Sequence, residues 1–289
     1  MTEPVPGPTP ERAGTERAVL ESAGPDRWAD LGPRMVSAAV MIVFAGLEIW
    51  LGGTAFAALV IVLCALMIWE LASITGGTAP QQRRTSVVLA GVAGVSLGAT
   101  LVLEPAGIAP ALLLIPSILL ALTSRRNRRI ASVYGAAVMV AGFGLVLLRA
   151  DPGTATILWL LAVVIVSDVL GYFAGRMIGG PKFLPAISPK KTWSGTVAGW
   201  IGAAAVGAGF VLAGWAGWML VPLSVAVALA GQFGDIAESW IKRRTGVKDS
   251  SSLIPGHGGV MDRFDALVGA TVAVMILYLV LPLPLPGRG

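Results

Sequence analysis

The stretch T-A-F-A-A-L-V-I-V-L-C-A-L-M-I-W-E-L-A-S-I, residues 54 to 74, decides the class of fold. It is almost unbroken in apolar side chains, and a helix that crosses a bilayer needs roughly 17 to 25 mostly apolar residues. Eight more runs read the same way: about 35 to 51, 86 to 103, 107 to 123, 130 to 148, 154 to 175, 193 to 213, 216 to 237 and 264 to 285. They are too long for barrel strands and do not alternate. Several are interrupted by Gly, and Pro116 falls inside the fourth span, which helices in lipid tolerate when neighbours satisfy the freed backbone groups. The expectation is an all-α integral membrane protein of about nine transmembrane helices.

Composition points the same way. Hydrophobic residues make up 55% of the 289 and charged residues only 13%, where a soluble domain carries about a quarter charged. The 37 glycines let helices pack backbone against backbone. One cysteine, Cys64, excludes a disulfide or a cysteine metal site within the chain, and reads as a small buried hydrophobe. The net charge of +5 does not signal nucleic acid, because the basic residues sit in short loops between apolar runs, with no aromatic platform beside them. With a cytoplasmic amino terminus, 19 of the 21 Lys and Arg fall on the cytoplasmic side, leaving Arg149 and Arg288 for the other. The carboxyl terminus is then expected outside. Residues 1 to 33, rich in Pro, Gly, Glu and Arg, read as a mobile cytoplasmic tail ahead of a polytopic membrane domain, 34 to 289. Two cytoplasmic connections, 176 to 192 and 238 to 263, are longer than topology requires, and chemistry is expected there.

The second connection carries two pairs of carboxylates. Asp235 and Glu238 share a helix face at what the hydropathy marks as the end of the eighth span, and Asp262 and Asp265 repeat the spacing at the start of the ninth. Hard carboxylate oxygens suit Mg²⁺, which binds through one or two carboxylates plus substrate phosphates. Spacing alone leaves that reading open beside a structural ion-pair cluster with Lys242, Arg243, Lys248 and Arg263. Asp262 and Asp265 could equally cap the ninth helix. In P-G-H-G-G, residues 255 to 259, glycines allow backbone amides to point at one anion, and His257 either contacts a phosphate, protonates a leaving group, or is a solvated side chain. Asp168, inside the sixth span, either ties helices through Tyr172 or Arg176 or lines a site; Glu48 and Glu70 read as structural.

From Ser239 to Asp265 the chain reads S-W-I-K-R-R-T-G-V-K-D-S-S-S-L-I-P-G-H-G-G-V-M-D-R-F-D. This closely resembles the signature of phosphatidate cytidylyltransferases, or CDP-diacylglycerol synthases: S-x-x-K-R, K-D, P-G-H-G-G, then D-R-x-D. Residues 167 to 195, with Asp168, Tyr172, G-R at 175 to 176 and S-P-K-K-T at 188 to 192, are similar to the family's upstream element. One departure is Ser194, where many members carry Glu.

The resemblance implies attack of the phosphatidate phosphate on the α-phosphorus of CTP, giving CDP-diacylglycerol and pyrophosphate, at the cytoplasmic face of a bacterial plasma membrane. It implies catalytic roles for Asp235, Asp262, His257, Lys242 and Arg263, and metal ligation by Asp235, Glu238, Asp262 and Asp265. Phosphate contacts would come from Ser188, Lys190, Lys191, Thr192, Ser239, Arg243, Lys248, Asp249, Gly256, Gly258 and Gly259. The cofactor would be one or two Mg²⁺ ions, with a monovalent ion allowed, and the assembly a homodimer in membrane lipid. Two other readings compete: a CTP-dependent lipid kinase, which would release CDP, and a secondary transporter. The full signature disfavours the first, and the absence of an internal repeat disfavours the second.

Overall fold

The computed structural model describes residues 52 to 76, 80 to 103, 109 to 125, 127 to 185, 187 to 254 and 258 to 287, together with Gly46. Apart from Gly46 these belong to one unit, Glu48–Gly289. The tail, the span at 35 to 51, Glu48, Gly256 and His257 lie outside the described residues, again apart from Gly46.

Long apolar runs become helices because a backbone out of water must satisfy its own hydrogen bonds. The helices are α1 Gly53–Gly76, α2 Pro80–Val102, α3 Ala109–Thr123, α4 Arg128–Ala150, α5 Thr154–Met177, α6 Trp193–Leu212, α7 Leu220–Thr245 and α8 Met261–Val280. Seven of them are long and apolar enough to cross a membrane; α3, of 15 residues with Pro116 inside, is shorter. Each of the eight predicted spans within the described residues falls on one helix.

Two boundaries differ from the sequence reading. α7 does not stop near residue 237 but runs on to Thr245, so Glu238, Ser239, Lys242 and Arg243 are helical. Hydropathy falls there, but Lys242 pairs with Glu238 one turn back, and Gly246 in the left-handed region (φ 80°) ends the helix. α8 stops at Val280, before Pro282 and Pro284, and the terminal segment folds back so that the Thr156 hydroxyl donates to the Pro286 carbonyl at 2.6 Å. The all-α expectation also misses a small antiparallel hairpin, β1 Lys182–Leu184 and β2 Ser188–Thr192, in the connection before α6.

α1 lies centrally, burying Phe56, Val60, Cys64, Ile68 and Leu71 against α2 and α4; α5 packs on α6, and α7 packs between α6 and α8. The crossing of α7 and α8 is a backbone contact. A Cβ on Gly234 would overlap the Asp265 carbonyl oxygen, and one on Gly269 would lie 2.8 Å from the Gly234 Cα. This approach sets Asp235 and Asp265 side by side, as small residues do at helix interfaces in lipid. Gly269→Val should therefore cost about 1 to 3 kcal/mol by overpacking, read as a lower thermal midpoint in detergent. Gly209→Ala, where a Cβ meets nothing within 4 Å, should leave the midpoint unchanged.

The ends of the helices segregate by charge. At one end, Thr75 Oγ1 meets Ser124 Oγ at 3.1 Å, and Arg244 Nε donates to Asn127 Oδ1 at 2.8 Å. The hairpin, the end of α7 and the start of α8 gather at that end, where the basic loops also lie. The contact between Thr156 and Pro286 marks the other end, with Arg149 and Asp151 nearby in sequence.

Candidate active site

Beyond Met177 the chain turns through Gly179 (φ 66°) and Gly180 (φ 102°), conformations that favour glycine, and enters the hairpin. Lys182 pairs with Thr192 and Leu184 with Ser188. Thr192 then caps α6, its hydroxyl accepting the Gly195 amide at 3.3 Å. Ser194, at the position of departure from the family pattern, donates to the Gly179 carbonyl at 2.5 Å and so ties the start of α6 to the turn that follows α5.

The hairpin closes one side of a cleft of about 510 Å³. Asp168, Tyr172 and Arg176 line it from α5, Lys182, Lys191 and Thr192 from the hairpin, and Gln232 and Asp235 from α7. Lys191 Nζ lies 2.5 Å from Asp235 Oδ2, and the Ser239 hydroxyl donates to Asp235 Oδ1 at 3.2 Å. Arg176 donates to the Tyr172 hydroxyl at 2.8 Å, so those two support each other while Asp168 faces the cleft. Asp265 stands within electrostatic reach of Asp235, Asp168 and Lys242.

A second cluster lies one turn further along α7. Lys242 Nζ is 2.7 Å from Glu238 Oε2 and 2.6 Å from Asp262 Oδ1, so one ammonium bridges the two helices. Asp262 also accepts the Ser250 amide at 2.9 Å and the Gly259 amide at 2.7 Å. The Ser250 hydroxyl lies between Asp262 Oδ2 (3.0 Å) and Glu70 Oε2 (3.1 Å). Glu70 comes from α1 and is wholly buried; it accepts the Val260 amide at 2.9 Å, the Met261 amide at 2.7 Å and the Ser251 hydroxyl at 2.6 Å. A carboxylate there satisfies the first amides of α8 and complements the positive end of that helix. The glycine at 259 follows from this: a Cβ would overlap both Ser250 Oγ and Glu70 Oε1.

The sequence-predicted residues thus divide into two groups. Asp168, Tyr172, Arg176, Lys191, Thr192 and Asp235 meet in the cleft, while Glu238, Lys242, Asp262 and Gly259 meet in the clasp between α7 and α8. The Gly259 amide, expected to face phosphate, is given to Asp262. Arg243, Lys248, Asp249 and Arg263 are exposed, Ser188 lies in β2, and Gly258 (φ 83°) forms a bridge with Ile254. The side chain of Lys190 is outside the described residues, as are His257 and Gly256. Sequence reasoning missed Lys182 as a cleft residue and the reach of Glu70, whose partners lie 180 to 191 residues away. Only the intramembrane position of a carboxylate hinted at the latter.

Among the described residues, no three acidic or sulfur- or imidazole-bearing side chains converge closely enough to form a metal cage. Magnesium does not need one, since it binds through one or two carboxylates and completes its shell with water and phosphate oxygens. The donor set fits that mode: Asp235 presents its carboxylate to the cleft with Asp265 beside it, and the buried Glu238 Oε1 has no hydrogen-bond partner among the described residues. In the cleft itself, Lys182, Lys191 and Arg176 can hold a polyphosphate and offset its charge, with Asp168 and Asp235 as the carboxylates that face them.

Comparison with known proteins gives this arrangement its place. Residues 32–281 match the cytidylyltransferase family. A phosphatidate cytidylyltransferase of Brucella abortus (strain 2308) is 47% identical over 153 residues, 50% of this chain and 55% of that protein. One from Helicobacter pylori (strain J99 / ATCC 700824) is 40% identical over 129 residues, 44% and 48% of the two chains. A third, from Mycobacterium bovis (strain ATCC BAA-935 / AF2122/97), is 37% identical over 147 residues, 50% and 48%. The chain spans about half the length of the curated relatives it matches. Because the family match takes in every described helix, and with them both the cleft and the clasp, the chain belongs to the cytidylyltransferase family.

Proposed function

We propose that the protein is a phosphatidate cytidylyltransferase, converting CTP and phosphatidate to CDP-diacylglycerol and pyrophosphate. The observation that carries this reading is the cleft itself, in which Asp168 and Asp235 face Lys182, Lys191 and Arg176 at the basic end of a bundle of apolar helices. A nucleotide from water and a phosphate on a lipid can both reach such a place. The names of the relatives support it, as does the signature from Ser239 to Asp265.

The second pKa of a phosphate monoester is about 6, so the lipid nucleophile is mostly dianionic at neutral pH and requires no dedicated base. One of its oxygens forms a bond to the α-phosphorus of CTP while the bond from that phosphorus to the bridging oxygen breaks in line, and pyrophosphate leaves. The barrier is repulsion between anions, so the work of the protein is positioning and charge. Lys191, Lys182 and Arg176 hold the triphosphate, and Thr192 and Ser167 border it. Asp235 and Asp265 are the carboxylates we assign to Mg²⁺, which when bound would supply positive charge to offset that of the phosphates. Asp262, saturated with protein donors, keeps Lys242, Ser250 and Gly259 in register for the chemistry.

The basic end of the bundle is assigned to the cytoplasm by the positive-inside rule. With residues 35 to 51 and α3 counted as spans, the chain crosses nine times, its amino terminus cytoplasmic and its carboxyl terminus outside. A bacterial plasma membrane and a homodimer follow from the family resemblance. Purified protein supplied with CTP, Mg²⁺ and phosphatidate should release pyrophosphate and form CDP-diacylglycerol, with neither product when phosphatidate or Mg²⁺ is omitted. Release of CDP instead would identify a lipid kinase, and ion flux without nucleotide turnover a transporter.

A further inference from the structure

Around α7 from the cleft, helices α4, α7 and α8 form an open groove of about 560 Å³ with almost wholly apolar walls, Val133, Phe233 and Ile276 standing exposed along it. On α7 its lining runs from Ala230 through Gly234 and Ala237 to Ile241, a single face at spacings of three and four. Those eleven steps are about 16 Å of helix at 1.5 Å per residue. The groove thus begins at the basic end of the bundle and runs toward the middle of the apolar helices.

Its polarity is graded in that direction. At the mouth stand Arg129, in the first turn of α4, and Trp240, whose ring lies 5.2 Å from the Arg244 guanidinium. Along α8 the wall includes Val268 and Gly269, and Asp265 precedes them by three and four residues, so that carboxylate occupies the polar end of the same face. Tyr134 on α4 faces this corner. It is only 6% exposed, its hydroxyl has no hydrogen-bond partner among the described residues, and it lies within electrostatic reach of Asp265 and Glu238. A buried phenol is ordinarily satisfied, so a bound group with an acceptor oxygen belongs beside it.

We infer that the groove receives an acyl chain of the lipid substrate, with the glycerol and phosphomonoester end at the mouth, where Arg129 and the Tyr134 hydroxyl donate to its oxygens. The inference rests on the reading of phosphatidate as substrate and adds the place where its hydrophobic part is held. An anionic head with one of its acyl chains below it matches a basic rim that leads into an uncharged groove, and Asp265, a carboxylate assigned to the chemistry, lies on the α8 face that leads to the rim. Phosphatidylcholine has the same tails, but its phosphodiester carries one negative charge, balanced by choline, where the phosphomonoester is mostly dianionic, so competition between the two classes reads the site.

The test uses full-length wild-type protein in phosphatidylcholine nanodiscs and phosphatidate with a photoreactive diazirine in one acyl chain. Label should map to residues 129 to 137 and 268 to 276 and fall about tenfold, or 1.4 kcal/mol in competition, when unlabelled phosphatidate is added. Further phosphatidylcholine should not displace it. Ala237→Phe, which narrows the groove, should raise the KM for dioleoyl phosphatidate about tenfold and leave the KM for CTP unchanged. Equal displacement by phosphatidylcholine would overturn the inference, because the occupant would then be bulk lipid. So would absence of label from these helices, the outcome if residues 35 to 51 or a second copy of the chain fill the groove. Selective label without CMP transfer would leave the site standing and sink the proposed reaction; CMP transfer with label elsewhere would do the reverse.

Discussion

Asp235→Asn should reduce CMP transfer by about 10² to 10³-fold, the usual cost of removing one preorganised charge from a reacting centre, while the protein stays folded in the membrane. The substitution keeps the shape of the side chain and an acceptor for Ser239, removes the charge, and puts an NH₂ donor where Oδ2 met Lys191. The stability side is small. Lys191 and Asp235 are 25% and 32% exposed, and a pair that meets water contributes about 1 kcal/mol or less. A large loss of rate with a thermal midpoint near that of the wild type therefore separates chemistry from folding. If Asp235 served only to hold Lys191, its replacement would alter KM for CTP modestly and leave turnover intact. Titrating Mg²⁺ in the same assay adds a second reading, because a lost carboxylate ligand raises the metal concentration at half-maximal rate. An unchanged rate and Mg²⁺ dependence would remove the assignment of Asp235 to the metal.

The eight apolar helices within the described residues were legible in the sequence because length and hydropathy are summed over some twenty residues, so a single Gly or Pro116 does not erase them. The end of α7 was not, because hydropathy measures lipid exposure and not helicity. From Glu238 to Arg244 the chain leaves the apolar profile yet keeps its helical bonds, and Gly246 is the local mark that could have set the boundary. The hairpin was too short to show alternation, and Gly179 and Gly180, in the turn that leads from α5 into it, were the local cue. The acidic residues were found by their spacing, but spacing along two helices does not say which oxygen meets which donor. Gly259 illustrates this: its place in a glycine-rich run suggested an anion-binding amide, and the anion it meets is the carboxylate of Asp262. Lys242 was read as a neighbour of the acids and proves to be the link between them. The groove along α4, α7 and α8 needs three helices to exist and leaves no signature in any one of them.

Glu70→Gln should open the connection between α7 and α8 and depress CMP transfer without unfolding the bundle. Glu70 Oε1 accepts the Val260 amide and Oε2 the Met261 amide, and no rotation of a glutamine side chain offers two acceptors to two backbone donors. One amide of the α8 start then faces an NH₂ group. The serine hydroxyls can turn to compensate, but a backbone N–H cannot. Losing one hydrogen bond to a charged group costs about 1.5 to 3 kcal/mol, here within a segment whose hold on α1 is this carboxylate. Trypsin should therefore cut after the exposed Lys248 about tenfold faster or more, since each 1.4 kcal/mol of local opening is a factor of ten. Glu70→Ala, which strands both amides in a site with no solvent access, should increase cleavage further and lower the thermal midpoint as well. Turnover should fall in the same order, since Asp262, Ser250 and Lys242 keep their places only while the loop is clasped from α1. Wild-type resistance at Lys248 in both variants would mean that Asp262 and Lys242 hold the loop alone, and that the carboxylate of Glu70 merely fills space at the top of α1.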